Sequence, residues 1–551
     1  MSNKEIAKIF STLASIMELH DENPFKIKSY SSAYITLRKL DTPLIEMSDA
    51  DMAGIKGVGK AIGEKIREYI NTGELAALNK YKEITPVGVQ EMLQIQGFGP
   101  KKILAIWKEL EIESIGELYY ACVENRLIEL KGFGKKTQDD LKQKIEYYQK
   151  SKDKFLYATL VGEAEYVVEN LKKRLPQAQI SLVGEILRQN TIVTGIEILL
   201  DSDFSSVETS DLFEVETIKE HYFKGKTTTE TPLFLYQCDA SEFGSKLFKH
   251  SAPLAFHEAF LAKTSETNFK NLATEAAVFE KAGIPYIAPP LREASELLPR
   301  LLEGYQPKLI QTTDIKGVVH NHSTYSDGLH SLQEMAAHTQ KLGYEYFVIS
   351  DHSKAAFYAN GLKEEQLEQQ WREIDLLNEG FANNFKIYKS IECDILYDGN
   401  LDYTPEILAR FDLVIASVHS ILKMDEAKAT ARILKAVENP ATRILGHPTG
   451  RLLLSRPGYP LDHRKIIDAC AANGVAIELN ANPWRLDIDW TWIPYCIQKG
   501  VLISINPDAH AKEGILDIRY GVSAAQKGGL TAADCLNAKG KESFEIWLNK
   551  K

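Results

Sequence analysis

No run in the 551 residues approaches the ~20 consecutive apolar residues that a membrane-spanning helix requires. The opening MSNKEIAKIF has no apolar segment of the kind a secretory leader carries. Paired cysteines are missing as well: Cys122, Cys238, Cys393, Cys470, Cys496 and Cys535 are widely scattered, without a C-x-x-C spacing. A chain this long needs no disulfide framework, so reduced thiols in a soluble cytoplasmic protein are expected. A basic excess is absent too. The 65 Lys and Arg against 76 Asp and Glu leave a net charge of −11. That excludes a uniformly basic nucleic-acid binder and strong steering by the field of the whole molecule.

What is present is an ordinary globular composition, 44% hydrophobic and 26% charged, which excludes a mainly disordered, collagen-like or coiled-coil chain. The length fits about three to five domains at roughly 100 to 200 residues each. Charge is unevenly spread: residues 1–150 hold 22 basic and 22 acidic side chains, so the whole −11 lies in 151–551.

Residues 1–150 read as helix, with apolar positions at helical spacing in IAKIFSTLASIMELH and IGEKIREYI. One short device occurs three times, each ahead of a helix: Ile55-Lys56-Gly57-Val58-Gly59-Lys60, Ile95-Gln96-Gly97-Phe98-Gly99-Pro100-Lys101, and Leu130-Lys131-Gly132-Phe133-Gly134-Lys135-Lys136. Two glycines allow a tight turn and bare successive N–H groups beside a helix N-terminus. That cradle suits a phosphate oxygen, and Lys60, Lys101 and Lys135 add charge. A single copy reads equally well as a plain turn. Three copies favour helix-hairpin-helix contacts to the DNA backbone, which carry affinity without sequence readout.

Beyond a Pro-containing stretch around 285–307, short apolar strands alternate with helical segments, and nearly every strand ends in an imidazole or carboxylate. KGVV runs into His320-Asn321-His322 with Asp327 shortly after; EYFVIS into Asp351-His352; FKIYKSI into Glu392; DLVIASV into His419; TRIL into Gly446-His447; VAIEL into Asn480; VLISIN into Asp508-Ala509-His510. Seven strands alternating with helices suggest a βα barrel, whose strand C-termini converge on one mouth. A lone histidine is usually a cap or a core residue, but nine ligand-type side chains after six strands are not explained that way. Mixed imidazole and carboxylate donors suit manganese, zinc or iron rather than calcium. Arg451 in GHPTGR and Arg485 in NPWRL are candidate phosphate clamps, with Lys354 a weaker third; each also reads as rim charge.

The motifs HNHSTYSDG, SDH, ASVHS, GHPTGR and NPDAH, in that order, resemble the polymerase-and-histidinol-phosphatase (PHP) domain of metal-dependent phosphoesterases. By that resemblance His320, His322, Glu392 and Asp508 hold one metal, Asp327, His352 and His510 a second, and Glu392 bridges to a third with His419 and His447. Two or three divalent ions are implied. The segment NPFKIKSYSSAYITLRKL and the hairpins resemble the lyase and fingers domains of family-X DNA polymerases, in which a lysine at the place of Lys65 can form a Schiff base with an abasic sugar; a solvent-facing lysine is the alternative. The run ISLVGEILRQNTIVTGIEILL resembles that family's nucleotidyltransferase palm. Where the family needs Gly-Ser this chain has Gly184-Glu185, and where it needs Asp-x-Asp it has Gly195-Ile196-Glu197. No carboxylate falls in TPLFLY, and the second Gly-Ser is replaced by His250-Ser251-Ala252-Pro253. Asp201 and Asp203 follow the strand and would serve only in a shifted register.

The expected architecture is a multi-domain α/β chain. It has all-α helix-hairpin-helix domains at 1–80 (lyase-like) and 81–150 (fingers-like), an α+β degenerate palm and thumb at 151–300, a linker at 301–315, and a distorted (βα)7 PHP barrel at 316–551. The resemblance implies a monomeric DNA-binding phosphoesterase acting on gapped, nicked or 3′-recessed DNA: a 3′–5′ exonuclease or 3′-end-processing enzyme of DNA repair that can incise abasic sites, with polymerase activity lost. Two readings stay open beside it, an active gap-filling polymerase and a small-molecule phosphatase of the histidinol-phosphate type.

Overall fold

The computed structural model describes residues 2–550 apart from 41, 56, 96–97, 129, 151–153, 204–211, 220, 265–267 and 382–384. The chain divides into two compact units, Met1–Tyr148 and Gln149–Lys551.

The first unit is helical. Its opening helix, Asn3–Leu19, starts on a capping box in which Ser2 and Glu5 exchange side-chain and backbone bonds. Ile6, Phe10 and Met17 pack with Leu37, Ile62 and Ile66 in one apolar cluster. Leu19 belongs to a second, built on Met92, Ile103, Ile106, Leu118 and Ile145. The first unit therefore holds two small apolar cores. Lys56, Gln96 and Gly97 of the hairpins lie outside the described residues.

The second unit begins with a mixed sheet. Strands β1 (Phe155–Leu156) and β3 (Ile192–Val193) pair with each other. The main sheet runs in the order β2 (Ile180–Leu182), β4 (Ile196–Leu200), β7 (Pro232–Gln237), β6 (Tyr222–Thr227), β5 (Phe213–Lys219). Only β4 and β7 are parallel neighbours. Helix Tyr157–Arg174 lays Leu160, Ala164, Val167 and Leu171 on the sheet's apolar face. After it, Arg292 is buried among Phe248, Phe256, Phe279 and Tyr286 and paired with Glu275 at 2.7 Å.

The barrel follows as seven parallel strands in sequential order: β8 (Gly317–Val318), β9 (Tyr346–Ile349), β10 (Lys386–Asp394), β11 (Leu413–Ser417), β12 (Ile444–Leu445), β13 (Ala476–Asn480) and β14 (Ile503–Asn506). Strands such as YFVI and LVIAS are buried throughout, which is why they read as unbroken apolar runs. A bridge between Asn321 and Ala509, with the His322 amide donating to the Ala509 carbonyl at 2.9 Å, brings the loops after β8 and β14 together and nearly closes the sheet. Segment 301–315, read from sequence as a linker, is packed: Ile310 and Ile315 lie in the barrel's apolar core, and the Ile310 amide donates to the Leu530 carbonyl at 2.9 Å. Among the described residues no helix is long and apolar enough to cross a membrane.

Candidate functional site

The strand ends aim their side chains at Glu392, near the end of β10. Its Oε1 lies 3.2 Å from His320 Nε2, 3.0 Å from His419 Nε2 and 2.9 Å from His447 Nε2; its Oε2 lies 2.9 Å from His352 Nδ1. Asp508 Oδ1 sits 3.0 Å from His322 Nε2, and Asp327 reaches His352 at 3.5 Å and His510 at 3.4 Å. Four groups of ligand atoms lie mutually within 4.8 Å: His322, Asp327, His352 and His510; His320, His447 and Asp508; His320, His322 and Glu392; His352, Glu392 and His419. All nine side chains named from sequence therefore share one cluster. His322 joins the Asp327 group, and His447 lies with His320 and Asp508 as well as beside Glu392. His320 and Asp508 both hold left-handed backbone, φ 63° and 53°, a conformation costly for non-glycine residues and concentrated at functional sites.

The donor chemistry fits divalent metal. His320 Nε2, His352 Nδ1 and Glu392 Oε2 are buried without a hydrogen bond, an arrangement that is costly unless a cation completes it. Burial works against ionisation of Asp327, Glu392 and Asp508, yet the surrounding imidazoles hold all three well below the usual carboxylate range. Burial likewise disfavours charged imidazoles at His320 and His352, but their carboxylate neighbours outweigh it and raise both. His419 is raised to about 9 against the same burial by Glu392 and Asp394. His322 goes the other way, pushed down to about 3 by burial and by His510 and His352.

A supporting set of carboxylates surrounds the ligands, and of these the sequence reading noted only Asp351, at a strand end and without a role. Glu478, inside β13, accepts from His320 Nδ1 (2.6 Å), the His447 amide (3.1 Å), Asn480 Nδ2 (3.0 Å) and Asn506 Nδ2 (2.7 Å). Asp394 holds His419 Nδ1 at 3.0 Å. Asp351 accepts from the Ser323 amide and hydroxyl, the Ser326 hydroxyl and Gln370, tying down the loop that carries His322 and Asp327. The available signal was a carboxylate within an apolar strand, or one or two residues from a ligand, since such groups are rarely buried without a partner.

Of the cationic candidates, Arg485 is buried with Nε 3.7 Å from Asp508. Arg451 is not turned to the cluster. Its guanidinium nitrogens bind the Asp489 carboxylate and the carbonyls of Arg485 (2.9 Å from Nε) and Leu486. The sequence reading of Arg451 as a clamp is thus corrected: it fixes the loop that carries Arg485. Lys354 pairs with Glu364 at 2.7 Å on the surface.

In the palm, Glu197 is half-buried against Gly184, where an added Cβ would meet Glu197 Oε1 at 1.7 Å. It accepts from Tyr236 Oη at 3.0 Å, and the Tyr236 ring stacks on His250 at 4.1 Å. Glu185 is tied to Thr194, Asp201 to Gln179 and Asp203 to Gln237. Among the described residues, every metal-type group of three or more lies in the barrel.

The three hairpins share one turn: the amides of Val58, Phe98 and Phe133 donate to the carbonyls of Ile55, Ile95 and Leu130 at 2.9, 3.1 and 3.0 Å. The apolar residue of each is buried, which leaves Gly59, Gly99 and Gly134 with Lys60, Lys101 and Lys135 exposed. Gly57 and Gly132 take φ of 88° and 89°. Gly59 and Gly99 are N-caps with no side chain to cover the first-turn amides. Lys65 is half-buried on helix Lys60–Thr72.

Residues 1–75 match the family described as "Helix-hairpin-helix domain", 89–146 the "SAM-like Helix-hairpin-helix tandem" and 319–482 the "PHP domain". The chain is 32% identical over 574 residues, covering all of both chains, to "DNA polymerase/3′-5′ exonuclease PolX" of Bacillus subtilis. It is 31% identical over 165 residues, 29% of this chain and 63% of the other, to a "Probable phosphatase" of Acetivibrio thermocellus. Helix-hairpin-helix domains ahead of a barrel whose strand ends converge on one ligand cluster, together with this end-to-end similarity, place the chain in the PolX family of family-X DNA polymerases, DNA-binding enzymes with a C-terminal PHP phosphoesterase domain.

Proposed function

We propose that this chain hydrolyses phosphate esters at DNA 3′ ends, removing 3′ nucleotides and 3′ phosphates, with the hairpins holding the duplex and the palm kept as a scaffold. The observation that carries it is the convergence of nine imidazole and carboxylate side chains, seven of them buried, into one cluster around Glu392. His320, His322, Glu392 and Asp508, then Asp327, His352 and His510, then His419 and His447 with Glu392, would hold two or three ions, with manganese or zinc the best suited and iron also compatible. Divalent ions bound there supply Lewis-acid charge to a phosphate ester and make a water molecule acidic enough to attack near neutral pH.

The chain's own residues do the rest. Glu478 and Asp394 orient His320 and His419 through their second nitrogens. Arg485, held by Arg451 and facing Asp508, offers a guanidinium to a phosphate oxygen. The burial of the ligands keeps bulk water from screening these charges.

Loss of polymerase chemistry is supported by the palm, where Glu197 and Tyr236 bond to each other and Asp201 and Asp203 are held by glutamines. No labelled nucleotide should then enter gapped DNA with manganese; incorporation abolished by an Asp201→Ala, Asp203→Ala double change would reverse this reading. The 3′-end activity is tested with 3′-recessed, gapped and 3′-phosphate DNA. Wild type with manganese should shorten or dephosphorylate them, and His320→Ala should not. The similarity to a probable phosphatase favours a second reading, hydrolysis of a small phosphate ester. Fluorescence anisotropy separates the two, because a small-molecule phosphatase would not bind gapped DNA even at low salt.

A further inference from the structure

The loops after four of the barrel strands each expose a large apolar side chain. Phe357 is 85% exposed, Ile421 60%, Leu329 42% and Leu454 40%. Each sits on a loop after a different strand, close in sequence to a ligand: Leu329 follows Asp327, Phe357 follows His352, Ile421 follows His419 and Leu454 follows His447. Ile421 and Leu454 take φ of 54° and 58°. That region is strained for any side chain and most unfavourable for a β-branched one, so the fold tolerates strain while leaving these side chains in water. The Phe357 ring lies edge-on to Tyr358, centroids 5.9 Å apart, and Tyr358 is 6.5 Å from the His352 imidazole. A path of rings thus runs from a ligand of the cluster out to the exposed phenyl group.

We propose that Phe357 and Ile421 are specificity-determining residues that hold the unpaired nucleobases adjoining the phosphate seated at the cluster. The inference rests on the reading of the barrel as a DNA 3′-end hydrolase. The occupant follows from continuity with the cluster: a strand whose phosphate is seated among His320, Glu392 and Asp508 must place its neighbouring sugars and bases at the rim. Aromatic and apolar side chains take up the faces of bases whatever their identity. A paired and stacked base has no free face to give, so the rim favours an end that has frayed. A phosphate ester without a base would gain nothing from this rim.

The test compares full-length wild type with a Phe357→Ala, Ile421→Ala double variant and with Phe357→Trp, all with manganese, on one oligonucleotide with its 3′ end either unpaired or paired. The double variant should raise KM for the unpaired end at least about tenfold, the scale of one lost stacking contact, and lose most of the preference over the paired end. Phe357→Trp should keep both, which a merely structural role for Phe357 would not predict. A double variant with wild-type KM and preference would overturn the proposal while leaving the hydrolase reading intact. So would a double variant that keeps wild-type KM but converts a dimer to a monomer in sedimentation, because the rim would then serve a second copy of the chain. Failure of the wild type to cut either DNA would remove the hydrolase reading itself, and this proposal with it.

Discussion

His320 lies between two carboxylates: its Nδ1 is 2.6 Å from Glu478 Oε2, and its Nε2 is 3.2 Å from Glu392 Oε1. The first bond fixes the ring's orientation and leaves Nε2 for a cation, the usual division of labour at a ligating histidine. Glu478→Gln keeps the size of the side chain but removes the charge opposite Nδ1. It is expected to weaken manganese or zinc binding by roughly 10- to 100-fold, read by calorimetric titration, and to lower phosphoesterase turnover in parallel. Unaltered metal affinity would reduce Glu478 to a packing role.

The imidazoles set a pH dependence whose sign can be worked out. His419 titrates at about 9 without metal, above the ~6.5 of an unfolded histidine, because Glu392 and Asp394 overcome the opposing burial. Its charged pairing therefore stabilises the metal-free chain fully below about 6.5, and that contribution is lost as pH rises through about 9. Metal must displace the same proton, so metal affinity should rise across this window, by up to about tenfold per pH unit for each proton displaced. Manganese titrations at pH 6.5, 7.5 and 8.5, with melting of the metal-free chain alongside, should give opposite trends. Parallel trends would show that His419 is not the titrating ligand.

The barrel was legible because nearly every strand is a short apolar run that stops at a ligand, so chain order alone announced one mouth. Glu478 was not, because within VAIEL it interrupts an apolar strand without a motif around it, and its partner His320 is 158 residues away. Arg451 was misjudged for a related reason. A basic residue next to GHPTG reads as a phosphate clamp until the path of residues 485–489 brings Asp489 and two carbonyls to its guanidinium. Ile310 in the supposed linker looked isolated because its neighbours in the core come from strands and helices far along the chain.

Lys527 is almost fully buried, and its Nζ donates to the Arg188 carbonyl at 3.0 Å, Asn190 Oδ1 at 2.8 Å and Glu293 Oε2 at 2.8 Å. It ties the palm and the following helical segment to helix Ile518–Lys527 of the barrel. Burial pulls its pKa down, so the ammonium depends on these acceptors. Truncating one partner of a buried ion pair costs about 3–5 kcal/mol. Because Arg188 stays paired with Glu293 at 2.8 Å, Lys527→Ala should fall at the lower end, about 3 kcal/mol, in urea unfolding. A loss well under about 1 kcal/mol would mean that solvent replaces the acceptors freely.

On the proposed function the hairpins grip DNA through backbone amides and local lysines, so a near-neutral first unit is compatible with a polyanionic partner. If Lys60, Lys101 and Lys135 each neutralise one phosphate, replacing one by alanine should lower the slope of log affinity against log salt by about 0.9, equally for unrelated DNA sequences. Gly132→Ala acts differently. At φ 89° the added Cβ strains the turn that presents the amides, so affinity should fall while the slope, which counts cations, stays near the wild-type value. Anisotropy titrations on gapped DNA between 50 and 200 mM salt distinguish the two. A Lys135→Ala variant with an unchanged slope would place its ammonium away from the phosphates and leave the backbone amides as the contact.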